Sequence, residues 1–335
     1  MKKAVCLLFL FMWPYILHAV PPKKIPILVD TDIGTDIDDA FALALVARSP
    51  ELDLLGVTTV SGDTHARARL AAKLLWEAGL RRVPVVAGEP GRALPIEQTR
   101  WARGFRSPQL RAGTAVNFLD ATLRRRPGKT TIVAIGPLTN VAALLQKDPA
   151  IARKISRIVL MGGSIHHGYG ADPTPVAEYN IAADPAAAQK VFSSGVHILM
   201  VPLDVTAMLQ LHAAARHQVF THLSPATDAL SVLYNLWNQR TPTLFDPMAV
   251  AMVINPGLCQ TQPLDIQVDA NGFTHVVDNK PPNATVALHT DPKKFFDFYL
   301  GRVAPEPGIK LPTGRLEEPV PARPSSLTGT AVASR

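Results

Sequence analysis

The sequence predicts an α/β protein: an open, mostly parallel sheet with helices on both faces and a small C-terminal β segment. Three observations carry this. With 335 residues, 47% hydrophobic and 18% charged, the chain can bury a large core. Aromatics are only 6% against 30 prolines, and the Ala-, Val-, Ile- and Leu-rich remainder suits alternating strands and helices better than an all-β sandwich. Between Ile25 and Val201, short apolar runs alternate with stretches of helical composition.

Ile25 to Val29 is an apolar run that ends in an acidic loop, and Ile37 to Ala47 then has helical composition with two carboxylates at its start. This β-loop-α unit recurs. Leu52 to Val60 reads as strand and His65 to Ala78 as helix; Val83 to Ala87 is a strand, followed by a helix around Gln109 to Arg125. Thr130 to Ile135 is a strand with Leu138 to Gln146 as its helix, and Ile158 to Met161 and His197 to Val201 are buried strands. Asp184 to Phe192 is a helix with Asp184 as cap and Pro185 at its first position. Such units assemble into a parallel sheet whose ligands lie at the carboxyl ends of the strands. After Val201, Leu211 to Phe220, Pro225 to Gln239 and Pro247 to Ile254 read as helices. Leu264 to Val268, Thr274 to Val277 and Thr285 to His289 read as short strands, and Pro292 to Arg302 is a closing helix. No repeat or composition shift divides residues 20–302, which are taken as a single domain.

The ends differ in character. Residues 1–19 have the pattern of a secretory signal: Lys2-Lys3, an apolar stretch from Ala4 to Leu17 and Ala19 as a cleavage position. The stretch is shorter than the ~20 residues a bilayer requires and contains Pro14, so the expectation is a secreted or periplasmic protein without stable membrane insertion. Residues 303–335 are Pro-rich and are expected to be disordered. The net charge of +7 falls partly on these ends, and the arginine runs 81–82 and 124–126 lack the interleaved aromatics of a nucleic-acid surface, so no nucleic-acid partner is expected. Of the two cysteines, Cys6 lies in the N-terminal run, leaving Cys259 alone. An internal disulfide and a cysteine zinc site are thereby excluded.

The concentrated signal is Asp30-Thr-Asp32-Ile-Gly-Thr-Asp36-Ile-Asp38-Asp39, five carboxylates in ten residues at a strand-to-helix junction. One or two would be helix caps. Five repel one another unless a cation or a very wet loop offsets them, and oxygen-rich sites select Ca²⁺ or Mg²⁺. The loop is no EF-hand, because Phe41 stands at the twelfth position where a bidentate Glu is required. Further ligands must come from elsewhere in the chain.

That loop, followed by Val57-Thr-Thr-Val60, Ile135-Gly-Pro-Leu-Thr-Asn140, Met161-Gly-Gly163, Glu178-Tyr-Asn180 and Asp246-Pro247, resembles the inosine-uridine preferring nucleoside hydrolases in motif and order, from Lys24 to Arg302. The resemblance implies a parallel-sheet core and cleavage of the ribonucleoside N-glycosidic bond with one bound Ca²⁺. It implies Asp32, Asp39 and Asp246 as side-chain ligands and Ile135 as a main-chain ligand. Asp32 would be the general base acting on a metal-bound water, with Asp38, Glu178 and Asn180 gripping ribose hydroxyls. It also implies a homodimer or homotetramer. Plainer readings stand beside these: Asn180 as a turn residue, Glu178 as a surface charge, Asp246 as a helix cap, Asp30 as a carboxylate that fixes the loop.

The chain departs from the family pattern at four places. Asp36-Ile37 lengthens the acidic loop, with Asp36 either capping the helix or joining the metal's outer surroundings. Asp63 and Asp172 stand where asparagines are usual, and Asp63 is read as a sugar contact that accepts but cannot donate. Phe245 occupies the place of a histidine that helps protonate the departing base, so it is read as a base contact. Candidates for the missing donor are His166, His167, Tyr169, Tyr234, Trp237 and Asn238. Two other functions fit parts of the sequence: a haloacid dehalogenase-type phosphohydrolase, from Asp30-Thr-Asp32 after a strand, and an exported nucleoside or sugar binder without turnover.

Overall fold

The computed structural model describes residues 24–91, 96–278 and 280–306. The signal-like segment 1–19 and the tail beyond residue 306 lie outside the described residues. The compact unit that holds the sheet runs to Pro305.

The strands are β1 (Ile25–Thr31), β2 (Leu52–Thr59), β3 (Val85–Ala87), β4 (Leu110–Arg111), β5 (Thr130–Ala134), β6 (Ile155–Met161), β7 (Ile198–Val201), β8 (Cys259–Leu264), β9 (Ile266–Val268), β10 (Thr274–Val276) and β11 (Ala284–Thr290). Nine of them form one sheet in the order β4-β3-β2-β1-β5-β6-β7-β11-β8, parallel throughout except for the antiparallel edge strand β8. The expected mostly parallel sheet is therefore present. The C-terminal β segment is divided: β8 and β11 extend the main sheet, while β9 and β10 form a separate antiparallel hairpin. The predicted single strand Leu264 to Val268 breaks between these two structures.

Successive residues of β1 show why both faces are covered. Ile27 and Val29 enter one core with Phe41, Leu70, Val133 and Val159, whereas Leu28 enters the other with Ile132, Leu160 and Ile198. A strand with a core on each face has no polar side, which is why its sequence is a continuous apolar run.

Two helices matter most for the site: α1 (Asp38–Ala47) and α10 (Phe245–Ile254). Both are apolar around their whole circumference, with Asp38 to Val46 and Asp246 to Val253 buried. They pack on each other, so the acids in their first turns meet. Partial positive charge at a helix N-terminus favours carboxylates there. α2 (Thr64–Glu77) follows β2, and α3 (Ala115–Arg125) begins later than predicted because Leu110–Arg111 forms the edge strand β4 and Thr114 caps the helix through Asn117 N–H. α4 (Thr139–Lys147), α5 (Tyr179–Ala182) and α6 (Pro185–Phe192) cover the opposite core, and Asp184 caps α6 as expected, accepting from Ala187 N–H at 3.0 Å. Among the described residues, no helix is long and apolar enough to cross a membrane.

Candidate active site

β1, β5 and β6 are adjacent and parallel, so the segments after their carboxyl ends converge. They bring together Asp32 to Asp39, Ile135 and Met161 to Gly163. With α5 and the start of α10 they enclose a cavity of about 200 Å3. It is lined by Asp32, Thr35, Asp36, Asp38, Asp39, Ile135, Met161, Tyr169, Glu178, Tyr179, Asn180, Phe245 and Asp246. Ten of the residues singled out from sequence stand here, drawn from positions 32 to 246.

Tight turns make the approach possible. A Cβ on Gly136 would stand 2.9 Å from the Asp32 nitrogen and 3.0 Å from its Oδ1, so only glycine lets the turn after β5 come this close. Gly163, at φ +82°, turns its N–H to Glu178 Oε2 at 2.9 Å.

The carboxylates are buried together. Asp32 and Asp38 are each 5% exposed, Asp39 and Asp246 each 3%. One oxygen from each of Asp38, Asp39 and Asp246 lies within 4.8 Å of the others. Asp38 Oδ2 accepts from the Asp246 N–H at 3.2 Å, and Thr31 Oγ1 donates to Asp39 Oδ1. The closest triad thus contains Asp38 where the resemblance implied Asp32, which lines the same cavity beside it. Burial, then mutual repulsion, pushes Asp38, Asp39 and Asp246 well above the ordinary carboxylate range. Asp32 is pushed up to about 6 by burial, against the pull of Arg67. Buried oxygens that repel one another this strongly match the donor set of a hard divalent cation.

The neighbouring groups are held firmly. Asp30, fully buried, accepts from Thr58 Oγ1 at 2.5 Å and Asn140 Nδ2 at 2.8 Å, and burial raises it to about 7. It does not line the cavity; it ties the loop to β2 and α4. Glu178, 2% exposed, is no surface charge: it caps α5, accepting from Asn180 N–H at 2.9 Å and Ile181 N–H at 3.2 Å, and burial raises it to about 7. Asn180 Nδ2 donates to the Met161 carbonyl at 3.1 Å. Asp246 lies in the first turn of α10, whose cap residue is Leu244.

Asp36 lines the cavity; its Oδ1 accepts from Ile37 N–H at 2.6 Å and its carbonyl from buried Gln98 at 2.7 Å. Asp63, read from sequence as a sugar contact, stands apart from the other site residues. It is exposed, does not line the cavity, and caps α2 by accepting from Ala66 N–H at 2.9 Å. Asp172 likewise shapes its own loop, accepting from Thr174 N–H at 2.8 Å. Phe245 does line the cavity, edge-on to Tyr169 with ring centroids 6.0 Å apart. Of the candidate donors only Tyr169 lines it too, and its hydroxyl accepts from Tyr179 N–H at 3.0 Å. The backbone of His166 donates to buried Asp204, and Tyr234 donates to the Arg240 carbonyl. Sequence reasoning passed over Tyr179 and, behind the loop, Arg67.

Comparison with known proteins agrees with this arrangement. Residues 27–297 match the family described as inosine-uridine preferring nucleoside hydrolase. The pyrimidine-specific ribonucleoside hydrolase RihA of Citrobacter koseri is 34% identical over 311 residues, covering 84% of this chain and 98% of that protein. A purine-preferring ribonucleoside hydrolase from Gardnerella vaginalis superposes with a TM-score of 0.73 at 27% identity, over 83% of this chain and 98% of its own. A plant nucleoside hydrolase gives the same TM-score at 26% identity, over 85% and 99%. A match of this extent leaves no place for the phosphohydrolase reading. The chain belongs to the inosine-uridine preferring nucleoside hydrolase family and is an N-glycosidase.

Proposed function

We propose that the protein is a Ca²⁺-dependent ribonucleoside hydrolase that releases ribose and a free base, with Asp32 as general base. The observation that carries this is the buried approach of Asp38, Asp39 and Asp246 within 4.8 Å, a cluster that needs a cation. Asp32, Asp39 and Asp246, with the Ile135 carbonyl, would hold it. When bound, calcium orients the attacking water and the ribose diol.

The protein's own groups do the rest. Asp32, buried at the edge of the cluster, takes the proton of the attacking water as the glycosidic bond breaks. Asp38 accepts from a ribose hydroxyl, close to the side chains of Asp39 and Asp246. Asn180 has committed its amide nitrogen to Met161, which leaves its oxygen to accept from a second hydroxyl. Glu178 orients this strand-to-helix turn through three backbone N–H groups. Phe245 and Tyr169 form an aromatic wall for the base; Phe245 has no proton to give, so the departing base takes its proton from solvent water.

The N-terminal pattern supports an exported enzyme acting on small-molecule nucleosides, and the family supports a homodimer or homotetramer. The test is to incubate the mature protein with purine and pyrimidine nucleosides and follow reducing sugar, with and without a chelator. Both base classes belong in the panel, because relatives of each preference match. Asp32→Asn should lower kcat by about 10²–10⁴-fold. No release from any nucleoside, or full activity in Asp32→Asn, would sink the reading; tight binding without cleavage would identify a binder.

A further inference from the structure

Behind the acidic loop lies a cation that the chemistry above does not use. Arg67, on α2, is fully buried, and no carboxylate lies within ion-pair distance of it among the described residues. A buried guanidinium ordinarily sits against an acid. Here four of its five N–H groups end on neutral oxygens. Nη1 donates to the Asp32 carbonyl and to the Ile33 carbonyl at 3.0 Å, Nη2 to Thr35 Oγ1 at 2.8 Å, and Nε to the Ser61 carbonyl at 2.8 Å. Ser61 itself adopts φ +68°, an uncommon conformation for a residue with a side chain, which turns that carbonyl toward the guanidinium. Four donors thus clamp the main chain from Asp32 to Thr35 to the turn after β2.

We propose that Arg67 is the positioning residue of the cation loop: its planar fork fixes the backbone that presents Asp32, and its charge offsets the carboxylates before a cation arrives. This rests on the calcium reading given above. The fork explains the residue type, since a lysine ammonium in the same place is a point charge that cannot span three loop acceptors and the Ser61 carbonyl at once. The loop also has a second buried support in Gln98, whose amide holds the Asp36 carbonyl, so the segment is held from Asp32 through Asp36.

Positioning and plain electrostatics predict opposite signs. A fixed positive charge close to a cation site weakens cation binding, so its removal alone tightens Ca²⁺. Loss of a clamp loosens the loop and weakens Ca²⁺. The experiment titrates chelator-stripped wild type, Arg67→Gln and Arg67→Lys with Ca²⁺ by calorimetry, and follows hydrogen exchange of the 32–37 amides without metal. Arg67→Gln should raise the Ca²⁺ Kd by about 10–100-fold, the range for groups that orient metal ligands, and speed exchange in the loop. Arg67→Lys should fall between. A Kd in Arg67→Gln equal to or below that of wild type overturns the proposal. If that variant does not fold, Thr35→Val removes one acceptor and keeps the charge; a weaker Kd supports the clamp and an unchanged Kd overturns it. Wild type that binds no Ca²⁺ overturns the calcium reading itself, and this inference with it, whereas a bound wild type beside an unaltered Arg67→Gln overturns the inference alone.

Discussion

Asp39 and Asp148 are the same side chain at comparable places, each at the N-terminal end of a helical turn, and their surroundings push them in opposite directions. Asp148 is half-exposed on the surface, pairs with Arg124 at 2.5 Å and caps the turn after α4 through Ala150 N–H at 2.9 Å. The Arg124 guanidinium holds it below the usual carboxylate range. Asp39 is 3% exposed, and burial together with Asp32 and Asp38 drives it well above that range. The surface pair is complete as folded. The cavity cluster is not, since its charge is balanced only in part by Arg67. Imbalance concentrated at one end of a sheet marks a site for chemistry more clearly than the count of acids does.

The hardest test of this contrast is Asp246→Asn. Removing one member of the triad should cost about 10³-fold in turnover, the scale of several kcal/mol of lost charge stabilisation. The same change should make the chelator-stripped protein melt above stripped wild type, because it relieves repulsion. A stripped variant that melts lower would mean that the cluster is not strained by its own charge.

A middle-sized effect is expected at Phe245. Phe245→Ala should raise KM for nucleosides by roughly three- to tenfold with a smaller change in kcat, the value of an aromatic contact. An unchanged KM would move the base away from the Tyr169–Phe245 wall.

The pH dependence of stability sharpens the comparison further. Glu178 is held at about 7 in the folded protein against an ordinary 4.5, because burial disfavours its charge. Between those values the folded state keeps a proton that the unfolded chain has released. Stability of the stripped protein should therefore fall as pH rises from about 4.5 to about 7, with Glu178 contributing on the order of 3 kcal/mol. Glu178→Gln should remove that share of the slope in melting experiments across the window. A slope as steep as that of wild type would assign it to the other buried acids.

Much of this was legible in the residues, for reasons that differ between elements. β1 and α1 could be read because burial on all sides leaves an apolar run broken only by the acids, and the density of those acids marked the loop as a site. Asp63 shows that a family position carries the place of a residue and not its local partner; a carboxylate one residue before α2 is captured by the helix's free N–H groups. The strand reading across Leu264 to Val268 failed because sheet membership there depends on pairing with β11, a contact distant in sequence. Arg67 was the costliest omission. It falls on the same stripe of α2 as Leu70, Ala71 and Leu74, all buried, and a charged residue on an apolar stripe was the available signal.

The smallest expected effect is also the control that gives the others their meaning. Asp148→Asn removes a charge while keeping the oxygen that caps the turn, so only the pairing with Arg124 is lost. Arg124 is itself 45% exposed and retains Asp120 at 2.8 Å, and solvent screens what remains. Turnover and Ca²⁺ affinity should match wild type, with a melting temperature barely lowered. Where neutralising an acid in the cavity raises the stability of the stripped protein, neutralising this one lowers it slightly. If Asp148→Asn instead stabilised the stripped protein as Asp246→Asn does, the gain would reflect general acidity of the chain and not repulsion confined to the cluster at the end of β1.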